Sequence, residues 1–329
     1  MTQHDFTKLK TRLRLPLIAA PMFLVSGVDL VSACCRAGII GSFPTANCRS
    51  PEELDGWIAA IDAQLAAAKA ENEREPAPWC PNLIVHKSNP RLAEDVAVLL
   101  RHKPEIVITS VGPPTPVLAP LHDIGALVFS DVATVLHAEK AVAAGADGLV
   151  LLTAGAGGQT GWINPFVFVR EVRRFFDGPI VLAGGVMDGH SLMMAEMLGC
   201  DLGYMGTRFI ATDESLAKDA YKEMLITSRA DDILLTKAFT GLNANMLRPS
   251  IERAGLDPDN LPLRGDIDIA KDINPEAKKN APKRWKDIWS AGHSVSGVSA
   301  ITGVDDLIDE IQTEYDKARM EATARLNCG

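Results

Sequence analysis

The amino-acid sequence lacks any apolar run of the roughly 18 residues that a membrane helix needs. Its first ten residues are polar and charged, without the apolar core of a signal peptide. It also lacks an excess of positive charge, since the formal net charge is −9. These absences argue against a membrane partner and against bulk binding to nucleic acid or anionic lipid. We therefore expect a cytoplasmic protein.

A metal or redox motif built from cysteine is also missing. The six cysteines show no zinc or redox spacing, and the adjacent pair Cys34 and Cys35 would make a strained disulfide. We expect reduced thiols, as is usual in the cytoplasm, and no metal site.

Short apolar runs alternate with helical segments along the first two thirds of the chain. The 329 residues are 47% hydrophobic and 23% charged, which is ordinary for a soluble globular protein. Eight strands alternating with helices predict an α/β fold with a parallel sheet, most simply a closed (β/α)8 TIM barrel. The predicted strands are 17–22, 39–43, 79–85, 105–111, 126–130, 148–153, 180–183 and 202–205.

The alternation breaks after the eighth strand. No candidate for the eighth barrel helix occurs before 304–319, and the intervening chain mixes helical patches with loops rich in Pro, Asp and Asn. We predict a barrel formed by 1–211 and completed by 292–329. Residues 212–291 then form a small domain inserted between strand eight and helix eight.

Glycines follow the last two predicted strands. The seventh ends at Gly184 and Gly185, and the eighth at Gly206 and Thr207. Glycine lets a phosphate approach backbone N–H groups without a Cβ in the way, and barrels commonly bind phosphate after strands seven and eight. Tight turns alone would also explain these glycines. Their presence at the same place in two consecutive βα units favours a phosphate-bearing ligand.

The loop 154–162 after strand six contains four glycines, together with Gln159. Such a backbone can fold around a flat polar ring, and a mobile solvent-exposed loop is the alternative. The loop lacks the lysine of a Walker motif and the spacing of a dinucleotide-binding fingerprint.

Six motifs in order along the chain resemble the nitronate monooxygenase family, whose members are FMN-dependent barrels related to flavin enoyl reductases. They are Ala-Pro-Met at 20–22, Asn82, Ala-Gly-Gly-x-x-Gly at 156–161, Ala-Gly-Gly at 183–185, Met-Gly-Thr-Arg-Phe at 205–209 and Trp-Ser-Ala-Gly at 289–292. The resemblance implies FMN as cofactor, and it implies that the inserted segment is a lid over the flavin.

The resemblance also implies a set of cofactor-binding residues. The phosphate would lie on Gly184, Gly185, Gly206 and Thr207. The flavin ring would lie among residues of strands one, three and five and of the loop after strand six, namely Ala20, Pro21, Met22, Asn82, Ser130, Gly157, Gly158 and Gln159.

Three positions depart from the family pattern. Gln159 replaces the usual histidine that is thought to act as base, and glutamine cannot take up a proton near neutral pH. Ser130, followed by Asp131, stands where many relatives have lysine. His293 stands where relatives often have glutamine, so it is the histidine that a motif places near the flavin. We predict Gln159 and His293 as catalytic residues, although a structural or surface role for His293 is an open alternative.

The resemblance implies oxidation of alkyl nitronates with O2. A nitronate is already deprotonated, so this reaction does not require the missing histidine. Two alternatives stay open: an NAD(P)H-dependent flavin reductase of quinones or enoyl thioesters, and a flavin-binding protein that has lost its chemistry. A sugar-phosphate isomerase would need a charged acid–base pair at strand ends, where this chain has Gly, Asn, Ser, Thr and Gln. The substrate, electron donor and oligomeric state stay open, with a homodimer as one candidate.

Overall fold

The computed structural model describes residues 3–71, 75–262 and 287–327. Nine strands precede residue 206 in this part of the chain, and the two-residue strand β7 lies outside the barrel. They are Leu17–Ala19 (β1), Ile40–Pro44 (β2), Trp79–Ile84 (β3), Ile106–Ser110 (β4), Leu127–Val132 (β5), Gly148–Leu152 (β6), Gly158–Gln159 (β7), Ile180–Ala183 (β8) and Leu202–Met205 (β9). The other eight are parallel and form a closed barrel in the order β1-β2-β3-β4-β5-β6-β8-β9, with β9 paired to β1. The predicted (β/α)8 barrel is therefore confirmed.

Eight α-helices precede β9 in the described residues. They are Gln3–Lys10 (α1), Val28–Ala37 (α2), Pro51–Glu71 (α3), Leu92–His102 (α4), Thr115–Asp123 (α5), Val135–Ala144 (α6), Pro165–Val172 (α7) and Gly189–Leu198 (α8). Asp188 is the N-cap of α8, because its Oδ1 accepts a 2.7 Å hydrogen bond from the Ser191 N–H.

The barrel interior is apolar toward the amino ends of the strands. Ile106, Leu127 and Phe129 belong to one buried cluster there, and Phe6 of α1 packs on Phe129 with ring centroids 5.9 Å apart. This packing closes one end of the barrel. Any binding site must therefore open at the other end, where the strands terminate.

Strand β5 extends further than the sequence predicts. The predicted strand ends at Ser130, whereas β5 continues to Val132. Because side chains alternate along a strand, Asp131 shares the inner face with Phe129, and Ser130 lies on the other face. Ser130 is fully buried.

Several elements follow β9, and all but the last of them are short. They are Thr207–Ile210 (α9), Asp219–Thr227 (α10), Ile233–Thr236 (β10), Ala244–Leu247 (β11), Arg248–Arg253 (α11) and Val304–Asn327 (α12). Strands β10, β11 and β7 make an antiparallel sheet in that order. Helix α12 packs on α8 and α2, so it completes the barrel. Residues 263–286 of the predicted insertion lie outside the described residues.

The five described cysteines are free and buried. Burial raises the pKa of Cys35, Cys48 and Cys200 to about 12, so these thiols are uncharged at neutral pH. Cys328 lies outside the described residues. Among the helices that the structure describes, none is both long and apolar enough to cross a membrane.

Candidate active site

One cavity opens at the carboxyl ends of the barrel strands. Most of the residues predicted as cofactor-binding line it, namely Ala20, Pro21, Met22, Asn82, Gly157, Gly158, Gln159, Gly184, Gly185, Gly206 and Thr207. Ser130 and His293 are not among the lining residues. The structure therefore brings residues from distant parts of the chain together where a TIM barrel places its chemistry.

The ends of β8 and β9 form one side of this cavity, which we call the glycine wall: Gly184, Gly185, Gly206 and Thr207. Within the described part of the chain, the backbone N–H groups of these four residues donate no hydrogen bond. Gly185 has φ +83°, and a Cβ placed on it would meet no atom within 4 Å, so its backbone is open to the cavity. Free N–H groups beside open space suit an anion such as phosphate.

Polar side chains from four strands also line the cavity, and we call them the polar wall: Asn82, Ser110, Asp131 and Tyr204. The Ser110 hydroxyl donates to Asn82 Oδ1 at 3.0 Å. The Asn82 amide in turn hydrogen-bonds the Asp131 carboxyl. Asp131 Oδ1 is buried and has no partner in the described part of the chain. A buried oxygen without a partner costs stability, so this one is a candidate for a functional role.

Burial changes the ionisation of the polar wall. It raises the pKa of Asp131 from 3.8 to about 7, although the hydrogen bond from Asn82 opposes the shift. Burial and the nearby Asp131 carboxylate raise the pKa of Tyr204 well above its ordinary value. At neutral pH this wall therefore presents a neutral phenol and a carboxyl group that is close to its titration point.

The glycine-rich loop 154–162 is held in place by neighbouring backbone. Strand β7 pairs with β11, with Gln159 opposite Ala244 and Gly158 opposite Asn245. Asn245 Nδ2 also donates to the Ala156 carbonyl at 2.8 Å. A Cβ on Gly157 would lie 2.7 Å from the Gly292 nitrogen, so only glycine allows this approach. These contacts show an ordered wall of the cavity instead of a loop free in solvent.

Aromatic residues cover the cavity from the segment that follows β9. The rings of Tyr221 and Trp289 stack with centroids 4.7 Å apart, and the Arg253 guanidinium lies 3.6 Å from the centroid of the Trp289 ring. The Tyr221 hydroxyl donates to the Ser290 carbonyl. Both aromatic rings are buried, so they shield this side of the cavity from water.

His293 lies beside the glycine-rich loop. Its backbone N–H donates to the Gly155 carbonyl at 2.9 Å, and its ring packs against the backbone of Gly155. The side chain is exposed, and Ser294 lines the cavity in its place.

The sequence predicts no site role for Ser110, Tyr204 or Tyr221. It singles out Asp131 as the neighbour of Ser130 and as the residue to consider if His293 has no role. One signal was available for Asp131. Phe129 is a large apolar residue in an inner-face position, and the residue two places later shares that face. No local signal marks Tyr221, which reaches the site by folding over it.

The fold and the cavity together define a TIM-barrel enzyme with a cavity at the carboxyl ends of its strands. The model of the nitronate monooxygenase family matches residues 5–314, so the chain belongs to this family. Its members are flavin-dependent oxidoreductases, and the predicted resemblance is confirmed.

Curated relatives with two kinds of name are similar to this chain. The nitronate monooxygenase of Pseudomonas aeruginosa is 29% identical over 284 residues, which cover 74% of this chain and 79% of the relative. A (3aS,4S,5R,7aS)-5-hydroxy-7a-methyl-1-oxo-octahydro-1H-indene-4-carboxyl-CoA dehydrogenase of Mycobacterium tuberculosis is 28% identical over 239 residues, covering 72% of this chain. The match spans only 64% of the length of that dehydrogenase.

Solved structures show the same fold. FabK from Thermotoga maritima has a TM-score of 0.77 at 24% identity, covering 97% of this chain and 98% of its own. Nitroalkane oxidase from Streptomyces ansochromogenes has a TM-score of 0.74 at 24% identity, covering 97% and 99%. At this identity the likeness concerns the fold alone.

Proposed function

We propose that this protein uses FMN to oxidise alkyl nitronates with O2. The observation that supports FMN is the glycine wall, where four residues at the ends of two adjacent strands line the cavity and donate no backbone hydrogen bond in the described chain. This arrangement fits one terminal phosphate of a mononucleotide. Membership of the nitronate monooxygenase family supports the oxidation of nitronates.

The residues around the cavity fit a bound flavin. Pro21, Met22 and the loop at Gly157 and Gly158 offer apolar and backbone surface for its ring system. A flavin bound there supplies a two-electron acceptor that can be reoxidised by O2. The protein contributes binding, orientation and exclusion of water.

A nitronate ion would enter between the polar wall and the aromatic cover. The Gln159 amide can donate a hydrogen bond to a nitro oxygen, which orients the substrate without taking up a proton. The stacked rings of Tyr221 and Trp289 support the proposal that the segment 212–291 acts as a lid. A proton-transfer role for His293 and a cofactor contact of Ser130 stay predictions.

An anaerobic half-reaction tests this function. We expect propyl nitronate to bleach the FMN-loaded protein within the time of mixing, and admission of O2 to restore the oxidised spectrum. NADH and NADPH, added separately, should leave the spectrum unchanged. Bleaching by a nicotinamide and not by the nitronate would contradict the proposal.

The second candidate is an NAD(P)H-dependent reductase of a quinone or an enoyl thioester. It is favoured by the relatives that are named as dehydrogenases of a CoA thioester. The same experiment separates the candidates, because this one predicts bleaching by NADH or NADPH. Absence of bleaching by all three reagents would indicate a flavin-binding protein without this chemistry.

A further inference from the structure

A neutral nitroalkane requires a proton-transfer step that a nitronate does not. Its α-carbon must lose a proton before the nitronate exists. The residue in the family position of the base is Gln159, whose amide cannot take up that proton. Oxidation of neutral substrates therefore requires a base elsewhere in the cavity.

The lining of the cavity restricts the choice. Among its described residues, three carry titratable side chains: Asp131, Tyr204 and Tyr221. Burial raises the pKa of both tyrosines above their ordinary value, so both are protonated at neutral pH. Asp131 is the lining residue that can hold a negative charge and accept a proton there.

The position of Asp131 suits this task. It lies on the inner face near the carboxyl end of β5, in the cavity that also contains the glycine wall. Hydrogen bonds run from Ser110 to Asn82 and from Asn82 to the carboxyl group, which fixes its orientation. The residue is partly exposed and lines the cavity, so its carboxyl group can be reached from there, while its buried Oδ1 has no partner in the described chain.

We propose that Asp131 is the catalytic base for neutral nitroalkanes, an inference that rests on the proposed function. The bond between the α-carbon and its hydrogen breaks, and its electron pair forms the C=N bond of the nitronate. The negative charge moves to the nitro oxygens, and the proton binds to the Asp131 carboxylate. No oxidant takes part in this step, and the nitronate formed is the substrate proposed above.

The electrostatic surroundings support the assignment. Burial raises the pKa of Asp131 to about 7, which makes its carboxylate a stronger base than an ordinary one. The titratable groups that interact with it in the described residues are Tyr204 on β9 and Cys80 on β3. Burial raises the pKa of each well above its ordinary value, so neither competes for the proton near pH 7.

The first test compares two substrates in the FMN-loaded Asp131→Asn variant. Loss of a proton-transfer group should lower kcat/KM for freshly dissolved neutral nitroethane by about 100- to 10,000-fold. Activity on preformed ethyl nitronate should fall by a much smaller factor than activity on the neutral substrate, since that ion needs no base. Asp177→Asn is the matched control, because it makes the same chemical change at an exposed position that does not line the cavity.

The second test does not depend on oxidation. The wild-type holoenzyme, with its flavin reduced beforehand under nitrogen, should exchange the α-hydrogens of nitroethane with deuterium from D2O above the buffer rate. NMR of the nitroethane measures this exchange. The exchange rate should rise with pH to a plateau above pH 7, and Asp131→Asn should abolish it while Asp177→Asn should not.

The outcomes separate the two proposals. Equal loss of both activities in Asp131→Asn, or unchanged exchange in that variant, would overturn the role of Asp131. Nitronate oxidation without any exchange in the wild type would overturn it as well, and would leave the proposed function standing. Absence of both exchange and nitronate oxidation in the wild type would overturn the proposed function.

Discussion

The two walls of the cavity present different chemical groups, backbone in one and side chains in the other. The glycine wall offers backbone N–H groups at the ends of β8 and β9, and what matters there is the absence of a Cβ. The polar wall offers side chains from four strands, and hydrogen bonds join three of them, Ser110, Asn82 and Asp131. The glycine wall suits a ligand group that does not change during the reaction. The polar wall suits the transfer of a proton.

This difference separates binding from chemistry. Backbone donors have a fixed charge distribution and do not titrate, so the glycine wall should be insensitive to pH. Asp131 has a pKa of about 7, so the polar wall changes charge within the physiological range. Variants in the first wall should therefore affect the cofactor, and variants in the second should affect rate and pH dependence.

The largest expected effect comes from Gly185→Val in the glycine wall. The variant places a branched Cβ in the open space beside the free N–H groups, at φ +83°. Losing two charge-assisted hydrogen bonds should weaken FMN binding by at least about 100-fold, giving a folded and colourless protein. Titration with FMN, followed by fluorescence, measures the affinity.

The control for this variant is Gly145→Val. Gly145 has φ +101° and also has open space around it, but it ends α6 and does not line the cavity. Gly145→Val should lose a comparable amount of stability, because valine is strained at a positive φ, and it should bind FMN normally. A Gly185→Val protein that keeps stoichiometric flavin would mean that the phosphate binds elsewhere.

The next effect is a stability difference in the polar wall. The folded-state pKa of Asp131 is raised from 3.8 to about 7, so the unfolded chain loses this proton first as pH rises. As pH rises from 3.8 to about 7, the free energy of unfolding should fall by at most about 4 kcal/mol in total. Above that range it should not change further.

Asp131→Asn removes this dependence. Its stability relative to the wild type should increase between pH 5.5 and 7.5 at up to about 1.4 kcal/mol per pH unit, because no carboxylate is then buried. Urea unfolding of the FMN-saturated proteins at several pH values measures it. A difference that is independent of pH would show that Asp131 titrates normally in the folded protein.

A smaller effect is expected from transferring the base. Combining Gln159→His with Asp131→Asn puts an imidazole at the family position, with an ordinary pKa near 6.5. We expect a gain of about 10-fold in kcat/KM for neutral nitroethane over Asp131→Asn alone. Gln159→Asn in the same background has no titratable group and should give no gain. Equal values for the two combinations would show that position 159 does not reach the α-carbon.

The smallest effect is expected at His293. The exposed ring of His293 packs on Gly155 but does not line the cavity. His293→Ala should therefore act by loosening the loop 154–162, and it should lower turnover by about 3- to 10-fold without changing the pH profile. His293→Gln should lower it less. Loss of a limb near pH 6 to 7 in both variants would instead support the proton-transfer role that the sequence predicts.

The barrel and the glycine wall were predictable because their signals are local. Apolar runs of four to six residues mark buried strands, and a glycine pair directly after such a run marks a strand end with open backbone. Gly184, Gly185 and Gly206 each carry this signal within their own segment. No knowledge of the neighbouring strands is needed to interpret it.

The polar wall was not predictable to the same degree because it depends on strand ends and register. Placing the end of the fifth strand at Ser130 instead of Val132 leaves Asp131 in a loop, where its direction is undetermined. The partnership of Ser110 with Asn82 depends on how β3 pairs with β4. The contact of Tyr221 with Ser290 joins residues 69 positions apart, which no local pattern reveals.

The pairing of β7 with β11 has a consequence for exchanging parts between family members. Gln159 and Ala244 belong to one continuous ladder, so the loop 154–162 and the segment after β9 share backbone hydrogen bonds. A chimera that imports residues 212–262 alone would bring a foreign β11 against a native β7, and any difference in length before β11 would shift the register at Gln159. Recombination that transfers 154–162 together with 212–262 keeps that register, so these two stretches should be inherited as one unit.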